Sequence, residues 1–282
     1  LGRVPATGLP RGGVHFRNSA AGTPEHAYLA NVVDGVDVFN VSDPQNIVKT
    51  GTYNFTGSLL VWNSYKQGDS LYIAASGGGT RAINLSASPA LSSAFNIDAA
   101  STSVHVAGTL AYIVNYAYGL KIFNFSSFPP TLTGQVQQTG FPQNLTVFND
   151  HAYVANSGNS PFGGVNIINV ANPGLPQYIT DFEGSQAYIA GKNNKVYATG
   201  GAEGCLFLDV TDPALPVEAS TYPLPNSTWD LAVEGDYVYS GSNGFRVFDV
   251  SNKNHPVQVG YHATLGDLVK VTGNLAIYCP ES

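Results

Sequence analysis

Methionine is absent from this chain of 282 residues, and cysteine occurs only twice, at Cys205 and Cys279. Two cysteines exclude a disulfide framework, and no CxxC or other metal-ligand spacing is present, so neither a metal nor a cofactor is expected. Charge is scarce as well: Asp, Glu, Lys and Arg together make up 11% of the chain, less than half of the roughly 25% of an average soluble domain. The basic residues run from Arg3 through Lys121 to Lys270 with never three in a row, and the net charge is −7. Binding to a polyanion needs clustered Lys and Arg to release counterions, so nucleic acid is not an expected partner. No apolar run reaches the roughly 18 to 20 residues of a membrane-crossing helix. The most apolar stretch, VHVAGTLAYIVNYAYGLKIF at 104–123, is interrupted by His105, Asn115 and Lys121 and reads as three strands. Helical periodicity is missing throughout. With no initiator methionine and no basic-then-apolar leader, the expectation is a processed or trimmed piece of a longer chain.

What the chain does have is repetition. The segments HAYLAN (26–31), SLYIAA (70–75), LAYIVN (110–115), HAYVAN (151–156), KVYATG (195–200) and YVYSGS (237–242) place Tyr28, Tyr72, Tyr112, Tyr153, Tyr197 and Tyr239 between 40 and 44 residues apart, and a worn seventh copy, LAIYCP, starts at Leu275. A spacing of about 40 to 45 residues is that of a four-stranded propeller blade. Each unit reads as four short strands. The first is SVHVAG or DLAVEG, ending in a tight turn. The second carries the tyrosine, the third is GVDVFNV, GLKIFNF, GVNIINV or GFRVFDV, and the fourth follows a proline corner, as in PVQVGYH. Third strands such as LKIFNF are apolar on both faces, which suits a sheet stacked between two neighbouring sheets.

The corner SDP, TDP or ANP is turn chemistry: the Asp or Asn oxygen accepts a backbone N–H two residues on, and proline fixes the direction of exit. These units resemble the LVIVD-repeat β-propeller family. FNVSDPQNIV, INVANPGLPQ, LDVTDPALPV and FDVSNKNHPV carry the resemblance well, INLSASPALS and FNFSSFPPTL more loosely. The resemblance spans nearly the whole chain. It implies a propeller and an extracellular or cell-surface location, and it brings no shared catalytic motif.

The expected fold is therefore all-β: a single seven-bladed propeller over 1–282. Its repeats are read at about 13–54, 57–98, 100–139, 142–183, 185–224, 227–265 and 266–282 plus 1–8. The seventh unit stops two strands in, so its blade is expected to be closed by the N-terminal strand LGRVPATG or by a neighbouring subunit. An open blade offers unpaired backbone groups, which makes self-assembly by strand pairing an expectation too.

Six Asn-X-Ser/Thr sequons occur, at Asn40, Asn54, Asn84, Asn124, Asn144 and Asn226. Asn54, Asn144 and Asn226 fall where loops between successive blades are expected, accessible to a glycan. Asn40, Asn84 and Asn124 share one repeat position, where a side chain bonded to its own turn competes with glycosylation. Covalent N-glycans would also keep so uncharged a surface in solution.

Other residues assemble no catalytic site on paper. His26 and His151 are repeat-equivalent and read as packing or turn residues, and His15, His105, His255 and His262 are scattered. Cys205 and Cys279 fall in the fifth and seventh units, too far apart for the roughly 4.4 to 6.8 Å of a disulfide. Cys205 reads as buried filler, whereas Cys279 could pair with a neighbour. Trp62 and Trp229 read as core. Asp34, Glu183, Glu203 and Asp230 are the carboxylates that could form an acid pair at the channel mouth.

The connections between second and third strands are the richer ones, so the face they share with the blade-to-blade crossovers is the expected binding face, lined by Asp34, Tyr116, Tyr118, Phe162, Glu203 and Asn243. The function expected is a non-catalytic extracellular glycoprotein, a scaffold or binding module and the repeating subunit of a surface filament or matrix. Its partners would be other protein subunits or surface glycans. The alternative is a carbohydrate-active hydrolase or lyase with carboxylates at the channel mouth.

Overall fold

Six four-stranded antiparallel sheets and one two-stranded sheet follow each other along the chain in this computed structural model. It describes residues 10–18, 23–31, 35–55, 60–77, 79–85, 93–97, 101–126, 129–137, 140–157, 163–184, 186–200, 204–224, 228, 230–242, 244–252, 254–263, 266, 268–273 and 275–279. Blade one is β1 (Pro10–Asn18), β2 (Pro24–Asn31), β3 (Gly35–Asn40) and β4 (Val48–Asn54). Blade two is β5 (Leu60–Gln67), β6 (Ser70–Ser76), β7 (Thr80–Asn84) and β8 (Ser93–Ile97), and blade three is β9 (Ser101–Ala107), β10 (Leu110–Asn115), β11 (Gly119–Asn124) and β12 (Thr131–Val136). Blade four holds β13 (Pro142–Phe148), β14 (His151–Asn156), β15 (Gly164–Asn169) and β16 (Gln177–Phe182). Blade five holds β17 (Tyr188–Lys192), β18 (Lys195–Thr199), β19 (Cys205–Asp209) and β20 (Val217–Tyr222). Blade six holds β21 (Asp230–Glu234), β22 (Tyr237–Ser242), β23 (Gly244–Asp249) and β24 (Val257–His262), and the last sheet is β25 (Leu268–Thr272) with β26 (Leu275–Cys279).

Each innermost strand packs against the innermost strands of both neighbours, and β25 lies between β21 and β1, so the inner strands form a closed ring. One apolar cluster fills each of the seven gaps between adjacent sheets, from Leu71, Ile73 and Val36 between blades one and two to Val14, Leu29, Phe39 and Leu268 at the seam. Side chains from both faces of a strand are therefore buried, which is why third strands read as apolar runs: in β15, Val165, Ile167 and Ile168 are all at 0% exposure. Each such side chain contributes about 1.5 to 3 kcal/mol relative to an exposed one.

The blade number needs correction. Among the described residues there are six four-stranded blades, not seven, and the seventh sheet stops at two strands. The expected closing strand at residues 1–8 lies outside the described residues.

Two local devices recur. In four blades the corner after the third strand is a double Asx turn: in blade five Asp209 Oδ1 accepts the N–H of Thr211 at 2.9 Å and Asp212 Oδ1 that of Ala214 at 3.0 Å. The same pair is built by Asn40 with Asp43, by Asn169 with Asn172 and by Asp249 with Asn252. The second device is a β-bulge between third and fourth strands in five blades, which leaves Thr50, Thr133, Ile179, Ala219 and Val259 as the extra residues. Among the described residues no helix is long and apolar enough to cross a membrane.

Candidate functional site

The turn between β10 and β11 is set from beneath by Asn115, which is 1% exposed and accepts the Ala117 N–H at its Oδ1, 2.7 Å away. With the turn pinned this way, Tyr116 and Tyr118 are left outside, at 37% and 54% exposure. The crossover into blade four is held similarly: Phe141 donates its N–H to Oδ1 of the buried Asn156 at 2.8 Å, and its ring stays 60% exposed. Tyr116 and Phe141 meet edge to face, with centroids 6.2 Å apart and planes at 70°. Richer second-to-third loops and blade crossovers thus do share a face.

Polar atoms beside these rings form a chain. Tyr116 donates its hydroxyl to Gln143 Oε1 at 3.3 Å, and Gln143 donates from Nε2 to Ser157 Oγ at 2.9 Å. Partial burial raises the Tyr116 phenol pKa, with the Gln143 bond opposing the shift. Lys121 stands 4.0 Å over the Tyr118 ring, a cation–π pair that leaves its ammonium at the aromatic surface. The result is a patch of exposed aromatic faces with amide and hydroxyl groups at its side, chemistry suited to the flat apolar face of a sugar ring or of a partner's side chain.

Of the predicted binding residues, Tyr116 and Tyr118 lie together on this patch, while Asp34, Phe162, Glu203 and Asn243 lie outside the described residues. Phe141, Gln143 and Lys121 were not anticipated. An aromatic in a blade crossover on the loop-rich face was the available signal for Phe141.

The inner strands form a different environment. His15, Tyr65, His105, Thr146, Ala190, Ala232 and Lys270 occupy one register level, each opposite the repeat position of Tyr28, Tyr72, Tyr112, Tyr153, Tyr197, Tyr239 or Ile277. The His15 Nε2 lies 2.9 Å from the Ser64 carbonyl; a carbonyl only accepts, so this nitrogen carries the proton. Burial pushes the His15 pKa down to about 3, with Lys270 adding to the shift, and holds His105 at about 4 for the same reasons. The His105 ring lies 4.3 Å from that of Tyr65. Burial also lowers the Lys270 pKa, against the opposing pull of Asp230 and Glu234. Two neutral imidazoles, a tyrosine and a lysine thus gather on the inner strands of blades one, two and three and of the last sheet.

Of the four acid-pair candidates Asp34 and Glu203 lie outside the described residues, and the other two, Asp230 and Glu183, lie apart. Asp230 is half-buried and accepts two backbone N–H groups, from Leu231 at 2.8 Å and from Val269 at 3.0 Å, and so ties blade six to the last sheet. Burial raises its pKa to about 7, with those two bonds and Lys270 opposing. Glu183 instead lines an open groove of about 530 Å³ on the outer rim, with Phe182, Leu215 and Val217. Among the described residues no group of three or more His, Cys, Asp or Glu could hold a metal ion. Cys205 is a buried free thiol whose pKa burial pushes up to about 12. His151 caps its own turn, Nδ1 lying 2.6 Å from the Asn149 carbonyl.

The sequons divide by position. Asn40 and Asn54 are exposed at the ends of β3 and β4, and Asn124 is half-buried, its Oδ1 accepting the Ser126 N–H at 2.8 Å. Asn84 ends β7, half-buried. Asn144, expected in a loop, is half-buried inside the inner strand β13 beside a register shift, because the crossover ends earlier, at Phe141. Asn226 lies outside the described residues.

With the blades and the double Asx corner in view, one comparison decides the kind of repeat: residues 225–264, essentially the whole sixth unit, match the LVIVD repeat. The chain carries an LVIVD repeat. Its corner, FDVSNKNHPV, is the one in which Asp249 and Asn252 form the paired Asx turns. The search of curated proteins finds no match. Among solved structures, the β-propeller domain of Cps50 (Swd1) from Myceliophteria thermophila is similar at a TM-score of 0.69 and 10% identity, covering 94% of this chain and 90% of that one. The WD40 repeats of RRP9 are similar at a TM-score of 0.68 and 10% identity over 87% and 80% of the two chains. The computationally designed Ika8 protein is similar at a TM-score of 0.67 and 12% identity over 96% and 84%. At such identities the likeness is one of fold: the LVIVD repeat here builds a propeller.

Proposed function

We propose that this protein is a non-catalytic interaction scaffold, an extracellular glycoprotein that binds through the aromatic face of blades three and four. The observation that carries this reading is the exposed pairing of Tyr116 with Phe141 beside the Gln143 and Ser157 polar chain. An exposed aromatic cluster with satisfied polar neighbours suits a binding surface. The exposed Asn40 and Asn54 support glycosylation, and the scarcity of surface charge supports a role for glycans in solubility. The same reading makes the protein the repeating subunit of a surface filament or matrix, supported by the two-stranded last sheet, in which β26 pairs with β25 alone among the described strands.

The test is calorimetric titration of the chain with a panel of neutral oligosaccharides, beside a Tyr116→Ala, Phe141→Ala double variant. Binding by the parent and its loss in the double variant supports the reading. Cleavage of any of those oligosaccharides by the chain would favour a hydrolase and sink it.

A further inference from the structure

At the level of the repeat tyrosines the seven inner strands fall into two groups. Thr146, Ala190 and Ala232 of blades four, five and six are short, whereas His15, Tyr65, His105 and Lys270 of blades one to three and the last sheet are long and polar. The four long side chains come from consecutive inner strands, since β25 packs on β1, β1 on β5 and β5 on β9. In β9 and β25 the residues on either side, Val104, Val106, Val269 and Val271, are buried. His105 and Lys270 between them are half-buried and, by the alternation of faces along a strand, turned away from those valines.

The cluster is firmly held but its charge is unanswered. His15 is fixed by Ser64, whose carbonyl and Oγ lie 2.9 and 3.0 Å from Nε2, so the ring's lone pair is on Nδ1. The His105 ring lies against that of Tyr65, 4.3 Å away. Among the described residues neither the Lys270 ammonium, the Tyr65 hydroxyl nor the His105 ring forms a hydrogen bond or an ion pair. Blades one and two separate the last sheet from blade three, yet the Lys270 charge lowers the pKa of His105, so it is felt across the inside of the ring. Lys66 adds to the positive surroundings of His15, although its own Nζ donates to the Gly68 carbonyl at 2.6 Å. Asp230 and Glu234 of β21 act on Lys270 from the other side, and neither comes close enough to pair with it.

We propose that this cluster is a binding site for a small oxyanion, held by the Lys270 ammonium, the Tyr65 hydroxyl and the His105 imidazole, with His15 beside them. A desolvated ammonium without a counter-ion is costly, and charge-assisted hydrogen bonds to an anion offset that cost. The short Thr146, Ala190 and Ala232 at the same level leave the ligand room that four more long side chains would take. A bound anion also favours the charged form of each imidazole, so binding takes up protons. Protonation of Asp230, whose pKa burial raises to about 7, removes a competing negative charge and acts in the same direction. The inference concerns the inner strands and stands independently of the aromatic face.

The test is an NMR titration of the full chain with sodium sulfate, an anion whose own charge is constant over the range used, at pH 7.5 and pH 5.5. The imidazole signals of the six histidines are followed. Saturable shifts are expected at His15 and His105, with tighter binding at pH 5.5, while the exposed His255 and His262 respond only to ionic strength. Lys270→Met should weaken sulfate binding at least about tenfold, and Tyr65→Phe, which keeps the ring against His105, at least about threefold. Melting temperatures no lower than the parent's show that both variants fold. Three results would each overturn the proposal: no saturable shift at His15 and His105, shifts there that merely follow those of His255 and His262, or sulfate binding by the Lys270→Met chain equal to the parent's.

Discussion

The Lys49 ammonium lies 2.7 Å from Asp37 Oδ1, and the Asp37 carboxylate is wholly buried on the flank of blade one that faces the seam. Thr52 donates to the same oxygen and Asn31 to the other, each at 2.8 Å. A buried charge is strongly destabilised when a cation paired with it is removed, because hydrogen bonds from neutral donors do not offset its desolvation. Lys49→Met should therefore cost about 3 kcal/mol in urea unfolding, whereas Lys49→Met combined with Asp37→Asn should recover much of it. Equal losses in the single and double variants would show that the ion pair is not what matters.

Gly164 opens the third strand of blade four at φ +111°, where a Cβ would stand 1.9 Å from the Phe182 carbonyl. Gly35 is held in the same way, at φ +112° and 1.9 Å from the Tyr53 carbonyl. An L side chain there is strained by conformation and by collision together, so Gly164→Ala should lower stability by about 2 kcal/mol or more. Gly51→Ala, with open space around it, should cost less than about 1 kcal/mol. Chemical denaturation of the two variants side by side checks the ranking.

Stability should fall as pH drops below neutrality. Unfolded His15 and His105 take up protons near 6.5, but in the folded protein they do so only near 3 and 4. Between those values the unfolded state binds more protons, so stability rises with pH there. Asp230 works in the opposite sense: its folded value of about 7 exceeds the ordinary 3.8, so the folded state holds the extra proton and stability declines as pH rises between the two. Two histidines outweigh one carboxyl, which predicts a falling urea midpoint from pH 6.5 to pH 4. Asp230→Asn should make that fall steeper, and a profile in the variant no steeper than in the parent would refute the assignment.

Glycan occupancy should follow exposure. Intact-mass measurement of the protein from a glycosylating host, before and after enzymatic removal of N-glycans, should locate sugar at Asn40 and Asn54, both exposed. Asn144, half-buried within β13, should stay bare. The reverse pattern would mean that modification precedes folding and is not governed by the folded surface.

Much of the architecture was visible in the letters because the tyrosine positions are periodic and buried between sheets: Tyr28, Tyr153 and Tyr197 are 2%, 1% and 3% exposed. The corner was visible because Asn or Asp followed by proline encodes its hydrogen bonds directly. The number of complete blades was misjudged because the tyrosine motif marks second strands, and β26 has that motif without the outer half of a blade. The bulge was hidden because Thr50, Thr133, Ile179, Ala219 and Val259 share no side-chain chemistry; only the small residues that follow them, such as Gly51, Gly134 and Gly260, hint at it. At the site, Tyr116 and Tyr118 stood out as aromatics in a turn, but Phe141 comes from a different blade, and one sequence does not encode that proximity.

The two strands that shut the seam, β25 and β26, come last in the order of synthesis among the described elements. While the ribosome is still reading toward residue 268, six finished sheets form an arc with greasy ends, Phe39 and Leu29 at one and Phe245 and Val247 at the other. A hydrogen bond from Val269 to Asp230 then helps draw the arc into a circle. Until that moment both apolar ends stay uncovered, so the hazard of premature association persists until residues 268–279 have been made.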